Sequence, residues 1–105
     1  MTARSRKQQI EEMLAEDPND PFLRYGLAME HVSSGDDAAA AKCLQDLIAL
    51  TPDYVPAYLQ LGQAFLRQGR TPDARQAWTQ GVQAAQQAGN QHARDEMQGF
   101  LENLT

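Results

Sequence analysis

Apolar residues recur along the chain at intervals of three and four: Ile10, Met13, Leu14; then Tyr58, Leu61, Phe65; then Ala74, Trp78; and finally Met97, Phe100, Leu101, Leu104. That spacing gathers side chains on one face of an α-helix, and no segment alternates with the two-residue period of a strand. Breaks fall between the apolar runs. Asn19 or Asp20 can cap a helix entered through Pro21, which runs to the Ser33-Ser34-Gly35 break, and Asp36 or Asp37 opens the next, which ends before Pro52. Asp53 then starts a helix that ends at Gly69, and Thr71 caps another, with Pro72 at its first turn, that stops at Gly89-Asn90. With one helix before Pro18 and one after Asn90, the pattern predicts six helices and an all-α fold.

The breaks and the small residues keep a common distance. Pro18 and Pro52, Leu27 and Leu61, Gly35 and Gly69, Ala40 and Ala74, and the pair Ile48 and Val82 are each 34 residues apart. Within Val55–Ala88, Tyr58 is a large aromatic of a first helix, Leu61-Gly62 a Leu-Gly pair, Phe65 a second aromatic, Gly69 a turn, Ala74 a small residue of a second helix and Trp78 its aromatic. In this order and at this period the segment resembles the tetratricopeptide repeat family. The preceding segment, Pro21–Tyr54, aligns through Leu27-Ala28, Gly35, Ala40, Leu44 and Pro52, while Arg24, His31 and Leu47 depart from the pattern, and Gln86 stands where the second repeat would close with proline. The resemblance implies a right-handed solenoid of helix-turn-helix units, about two and a half repeats in one domain. Residues 1–18 would supply the second helix of a truncated repeat, 21–54 and 55–88 two full repeats, and 90–104 a capping helix.

The same resemblance implies a protein-interaction adaptor whose groove is lined by first-helix side chains pointing away from the core. At about 100° per residue, Tyr58, Leu61, Gly62 and Phe65 form one stripe, and Leu59, Gln60, Gln63 and Arg67 fall opposite. Shifted 34 residues back, the rule selects Phe22, Tyr25 and Met29; shifted forward, it selects Arg94 and Met97 along with Asn90, Ala93, Phe100 and Leu101. These nine, Phe22, Tyr25, Met29, Leu59, Gln60, Gln63, Arg67, Arg94 and Met97, are the candidate partner-binding residues. For the last helix a second reading turns the Met97, Phe100, Leu101, Leu104 stripe onto the preceding helix as a cap. For Phe22, Tyr25 and Met29 the alternative is packing against Ile10, Met13 and Leu14. A family subclass grips chaperone C-terminal carboxylates with Lys, Asn and Arg side chains; here those positions carry Tyr25, Met29, Gln60 and Asn90, with only Arg94 fitting, so the groove suits a peptide with hydrophobic anchors instead.

Composition narrows the partners. The net charge is −5, and the basic group Arg4, Arg6, Lys7 is followed at once by Glu11, Glu12, Glu16, Asp17 and Asp20, which is no footprint for nucleic acid. No apolar run reaches the roughly 18 residues of a membrane span, and the polar start lacks the apolar core of a secretion signal, so the cytoplasm is the expected compartment. The single cysteine, Cys43, agrees with that setting. His31 falls at a core position, and His92 with Glu96 has helical spacing but no further metal ligand beside it. Neither Cys43 nor the acidic pairs Glu11-Glu12 and Asp36-Asp37 come with a catalytic companion, so no cofactor, metal or enzymatic activity is expected. The alternative to an adaptor is a scaffold that associates with a second copy of itself, a homodimer covering apolar end or groove surfaces; a small metal protein or enzyme is a distant third.

Overall fold

The structure, a computed structural model, describes residues 3–104. All regular structure among them is helical: α1 (Arg6–Glu16), α2 (Pro21–Ser33), α3 (Asp37–Leu50), α4 (Val55–Arg67), α5 (Thr71–Gln87) and α6 (Gln91–Asn103). Each helix packs on its neighbours in the chain, and α6 also reaches α4. The serial stack is 50 Å long and 20 Å thin.

The ends of the helices follow from local chemistry. Ser5 caps α1 by accepting from the Gln8 amide (3.1 Å) while the Gln8 side chain accepts from the Ser5 amide (3.0 Å), a reciprocal capping box. The Asp20 carboxylate accepts from the amides of Phe22 and Leu23, Asp36 from that of Ala39, and Asn90 from that of Ala93. The helix starts assigned to Asp53 and Thr71 need correction. The fourth helix begins at Val55 with Tyr54 as its cap, and the fifth begins at Thr71 itself with Arg70 as its cap, neither with a side-chain cap bond. In both, proline in the first turn removes an amide that would otherwise lack a partner, so a capping side chain has less to satisfy. The chain reverses through a left-handed glycine within each repeat, with φ 79° at Gly35 between α2 and α3 and 75° at Gly69 between α4 and α5, and again between α5 and α6, with φ 70° at Gly89.

The core is centred on α4 and α5. Tyr58, Leu61, Ala64 and Phe65 of α4 meet Ala74, Ala77 and Trp78 of α5, with Leu44 and Leu47 of α3 on one side and Met97 of α6 on the other. Two small residues set the helix spacing. A β-carbon on Gly62 would collide with the Trp78 indole, and one on Gly81 would sit 2.6 Å from the Tyr58 β-carbon and run into the Met97 sulfur. Trp78 is closed in further by the Phe100 ring, 5.0 Å away, and its indole N–H donates to the Leu59 carbonyl at 3.1 Å. His31, expected in the core, is only half-buried, and its carbonyl accepts from the Asp36 amide at 2.9 Å.

The tyrosines couple this packing to pH. Burial raises the hydroxyl pKa of Tyr25, Tyr54 and Tyr58 above the ordinary 10.0; Tyr54 raises Tyr25 further, Asp20 raises Tyr54, and Asp53 raises Tyr58. A raised pKa means that the folded state holds these protons more tightly than the unfolded chain. Stability from this source is complete below the unfolded value near 10 and is lost as pH climbs through the folded values. Thermal melts recorded from pH 8 to 11 are expected to be flat at first and to fall above pH 10, in step with phenolate absorbance at 295 nm.

Candidate functional site

Alternate helices α2, α4 and α6 line one side of the stack. Tyr25 from α2, Leu59 and Gln60 from α4, and Asn90, Ala93 and Glu96 at the start of α6 and along it surround a hollow of about 150 Å³. The Tyr25 ring is held against Tyr54, at the entry to α4, with ring centroids 5.4 Å apart and planes tilted by 47°. Burial and Tyr54 push the Tyr25 hydroxyl pKa up, and the Gln60 amide beside it draws it partly back. At neutral pH the hydroxyl stays protonated, so it presents a donor and an acceptor beside apolar Leu59 and Ala93. Glu96 adds one carboxylate on the α6 wall.

The nine candidates fall into distinct places. Tyr25, Leu59 and Gln60 come together in this hollow. Phe22 and Met29 lie with Tyr25 along a second, larger hollow between α1 and α2. Gln63 is half-buried farther along α4. Arg67 is committed elsewhere: its guanidinium donates to Asp37 at 2.9 Å and ties the end of α4 to the start of α3. Arg94 pairs with Asp95 at 2.7 Å and lies over the α5–α6 turn beside Gln86 and Gly89, away from the Tyr25 hollow.

Met97 requires a correction. It is fully buried, seated in the space that Gly81 leaves open, so it is a core residue and offers nothing to a partner. Helix α6 turns Met97, Phe100, Leu101 and Leu104 onto the core and so covers the end of the stack. Glu96, noted in the sequence for its helical spacing from His92, lines the hollow, and Tyr54 braces Tyr25 although nothing in the repeat pattern marks it. Cys43 is half-buried in α3, and its thiol pKa is raised first by burial and then by Asp46, which keeps it protonated and poorly nucleophilic. Among the described residues no three His, Cys, Asp or Glu side chains gather as a metal site, and no helix is long and apolar enough to cross a membrane.

Comparison with known proteins bears on the family and the fold. The tetratricopeptide repeat family model matches residues 25–91. A TPR repeat-containing protein of Pseudomonas aeruginosa is 37% identical over 95 residues, 90% of each chain. Among solved structures, a protein of Bordetella parapertussis superposes with a TM-score of 0.84 at 32% identity, covering 97% of this chain and 89% of that one. A tetratricopeptide repeat domain protein of Salinibacter ruber gives 0.78 at 36% identity, covering 83% and 88%. Glycine turns, Gly62 against Trp78, serial helix pairs and these matches have one explanation: the chain belongs to the tetratricopeptide repeat family.

Proposed function

We propose that the face formed by α2, α4 and α6 binds a short segment of a partner protein, extended or helical, through apolar anchors. Tetratricopeptide repeat domains are in general protein-interaction modules, which sets the class of activity. The observation that supports this site is the convergence of Tyr25, Leu59, Gln60 and Ala93 from three successive first helices on one hollow. An aromatic ring and a leucine give an anchoring side chain area to bury, while the Tyr25 hydroxyl and Gln60 amide fix its direction. Glu96 favours a basic residue in the partner next to the anchor. On this reading the protein is a non-catalytic adaptor acting in the cytoplasm.

Selection from a random 12-residue peptide library on the immobilised protein tests the proposal. Selected peptides should carry apolar anchors, and fluorescence-polarisation titration should show Tyr25→Ala weakening them by about 1–2 kcal/mol with helicity unchanged. Peptides that bind Tyr25→Ala and Leu59→Glu as well as the parent protein would move the site off this face.

A further inference from the structure

Helix α1 is covered on one side only. It contains no fully buried residue, and its Ile10 and Met13 form, with Phe22, Tyr25, Gly26 and Met29 of α2, an open apolar trough of about 500 Å³. Met13 is 51% exposed and Phe22 73%, the largest exposures among the big hydrophobic side chains of the described residues. Register explains the shape. Shifted by two periods of 34, Arg6, Gln9, Ile10 and Met13 of α1 correspond to Ala74, Ala77, Trp78 and Gly81, the face of α5 against which α4 is packed. The trough is therefore the place where a helix preceding α1 would lie, and α1 carries the seat for it.

The charges on α1 indicate what fills that seat. Its start is basic, with Arg4, Arg6 and Lys7, of which Arg4 reaches Glu12 at 2.9 Å and Arg6 reaches Glu30 at 3.3 Å while staying exposed, and its end is acidic, with Glu16 and Asp17; Ile10 and Met13 lie between. A helix with this order is complementary to itself when antiparallel: about a twofold axis, Arg6 comes opposite Asp17 and Ile10 opposite Met13 of the other copy. The helix dipoles then also oppose, and Glu11 and Glu12 fall off the facing stripe at about 100° per residue. We infer that a second copy of this chain docks in the trough, α1 antiparallel to α1 and the two α2 helices beside them, so that Met13 and Phe22 of each copy are covered. This dimer surface is separate from the α4 and α6 walls of the proposed peptide site, sharing with that site only Tyr25 at its border.

Two pairs of short helices make a small interface, so association is weak and must be followed to about 1 mM protein. The experiment is sedimentation equilibrium of the full chain at 0.15 M salt, where net charge is screened beyond about 8 Å while pairs in contact survive. The expected result is a concentration-dependent dimer of the 11.6 kDa chain. Met13→Asp is expected to weaken it about tenfold or more with circular dichroism unchanged, since Met13 is half exposed and stands outside the buried core.

The double change Glu16→Lys with Asp17→Lys tests the orientation. Positive charge at the end of α1 favours the helix itself, so misfolding is not the expected cause of an effect. In the antiparallel dimer the new lysines face Lys7 and Arg6, and association should fall about tenfold. A parallel pair would bring Glu16 and Asp17 of both copies together, and the same change would tighten it. A monomer at every concentration, a dimer indifferent to Met13→Asp, or one strengthened by the lysine pair would each overturn the inference.

Discussion

Replacing Trp78 with alanine is expected to cost about 3–5 kcal/mol, the range for removing a fully buried aromatic side chain. From α5 the indole touches two other helices: it lies against Gly62 of α4 and gives its N–H to the Leu59 carbonyl of the same helix, and it packs at a tilt against Phe100 of α6. Deletion leaves a large cavity between α4, α5 and α6, and it removes the additional indole hydrogen bond that the Leu59 carbonyl accepts. A chain of 105 residues has about 5–15 kcal/mol to lose, so much of the fold is at stake. Urea titration followed by circular dichroism reads the change. A midpoint unchanged from the parent would show that Trp78 does not bridge the repeats.

Gly62→Ala is the more discriminating substitution, because its sign is informative. In a helix interior free of neighbours, alanine is better than glycine by about 1 kcal/mol. Here the added methyl would enter the Trp78 ring, and a ring packed against Phe100 and tied by its N–H to the Leu59 carbonyl resists swinging aside. Overpacking of that kind costs about 1–3 kcal/mol or more, so a net loss of about 2 kcal/mol is expected. The same change at Gly99, where nothing lies within 4 Å, should be stabilising or neutral. Melting temperatures of the two variants, measured side by side, check the contrast; equal shifts would mean that α4 and α5 do not approach closely at Gly62.

Most of the fold was legible because the signals repeat. Gly35 and Gly69 are the same turn 34 residues apart, and Gly62, Ala74 and Trp78 make sense only as parts of one close contact. Gly81 carried a weaker signal, a lone glycine inside a helical run, and its counterpart one period earlier is Leu47, so the period gave no warning of its role. The site was harder to read for a related reason. Angular arithmetic assumes that every first helix is flanked on both sides, which holds for α4 but not for α6. At the end of the stack the apolar stripe has one neighbour, and Met97 goes to it, while at the matching position in α4 stands half-buried Gln63. Arg67 was misplaced by its reach: a long side chain on the predicted face bends back to Asp37, and no periodicity encodes that choice.

Packing of each helix on those adjacent in the chain has a kinetic corollary. Almost every tertiary contact joins segments separated by a short turn, so little loop-closure entropy stands between the unfolded chain and its first stable pair. Folding of such a topology is fast, on the scale of microseconds to milliseconds, and growth can proceed outward from whichever pair forms first. The α4–α5 pair, holding Trp78 over Gly62, is the richest in buried side chains and is the natural starting point. Distal helices then add one at a time, each gaining only the surface of its predecessor, so sequence change at either end leaves the central nucleus able to form.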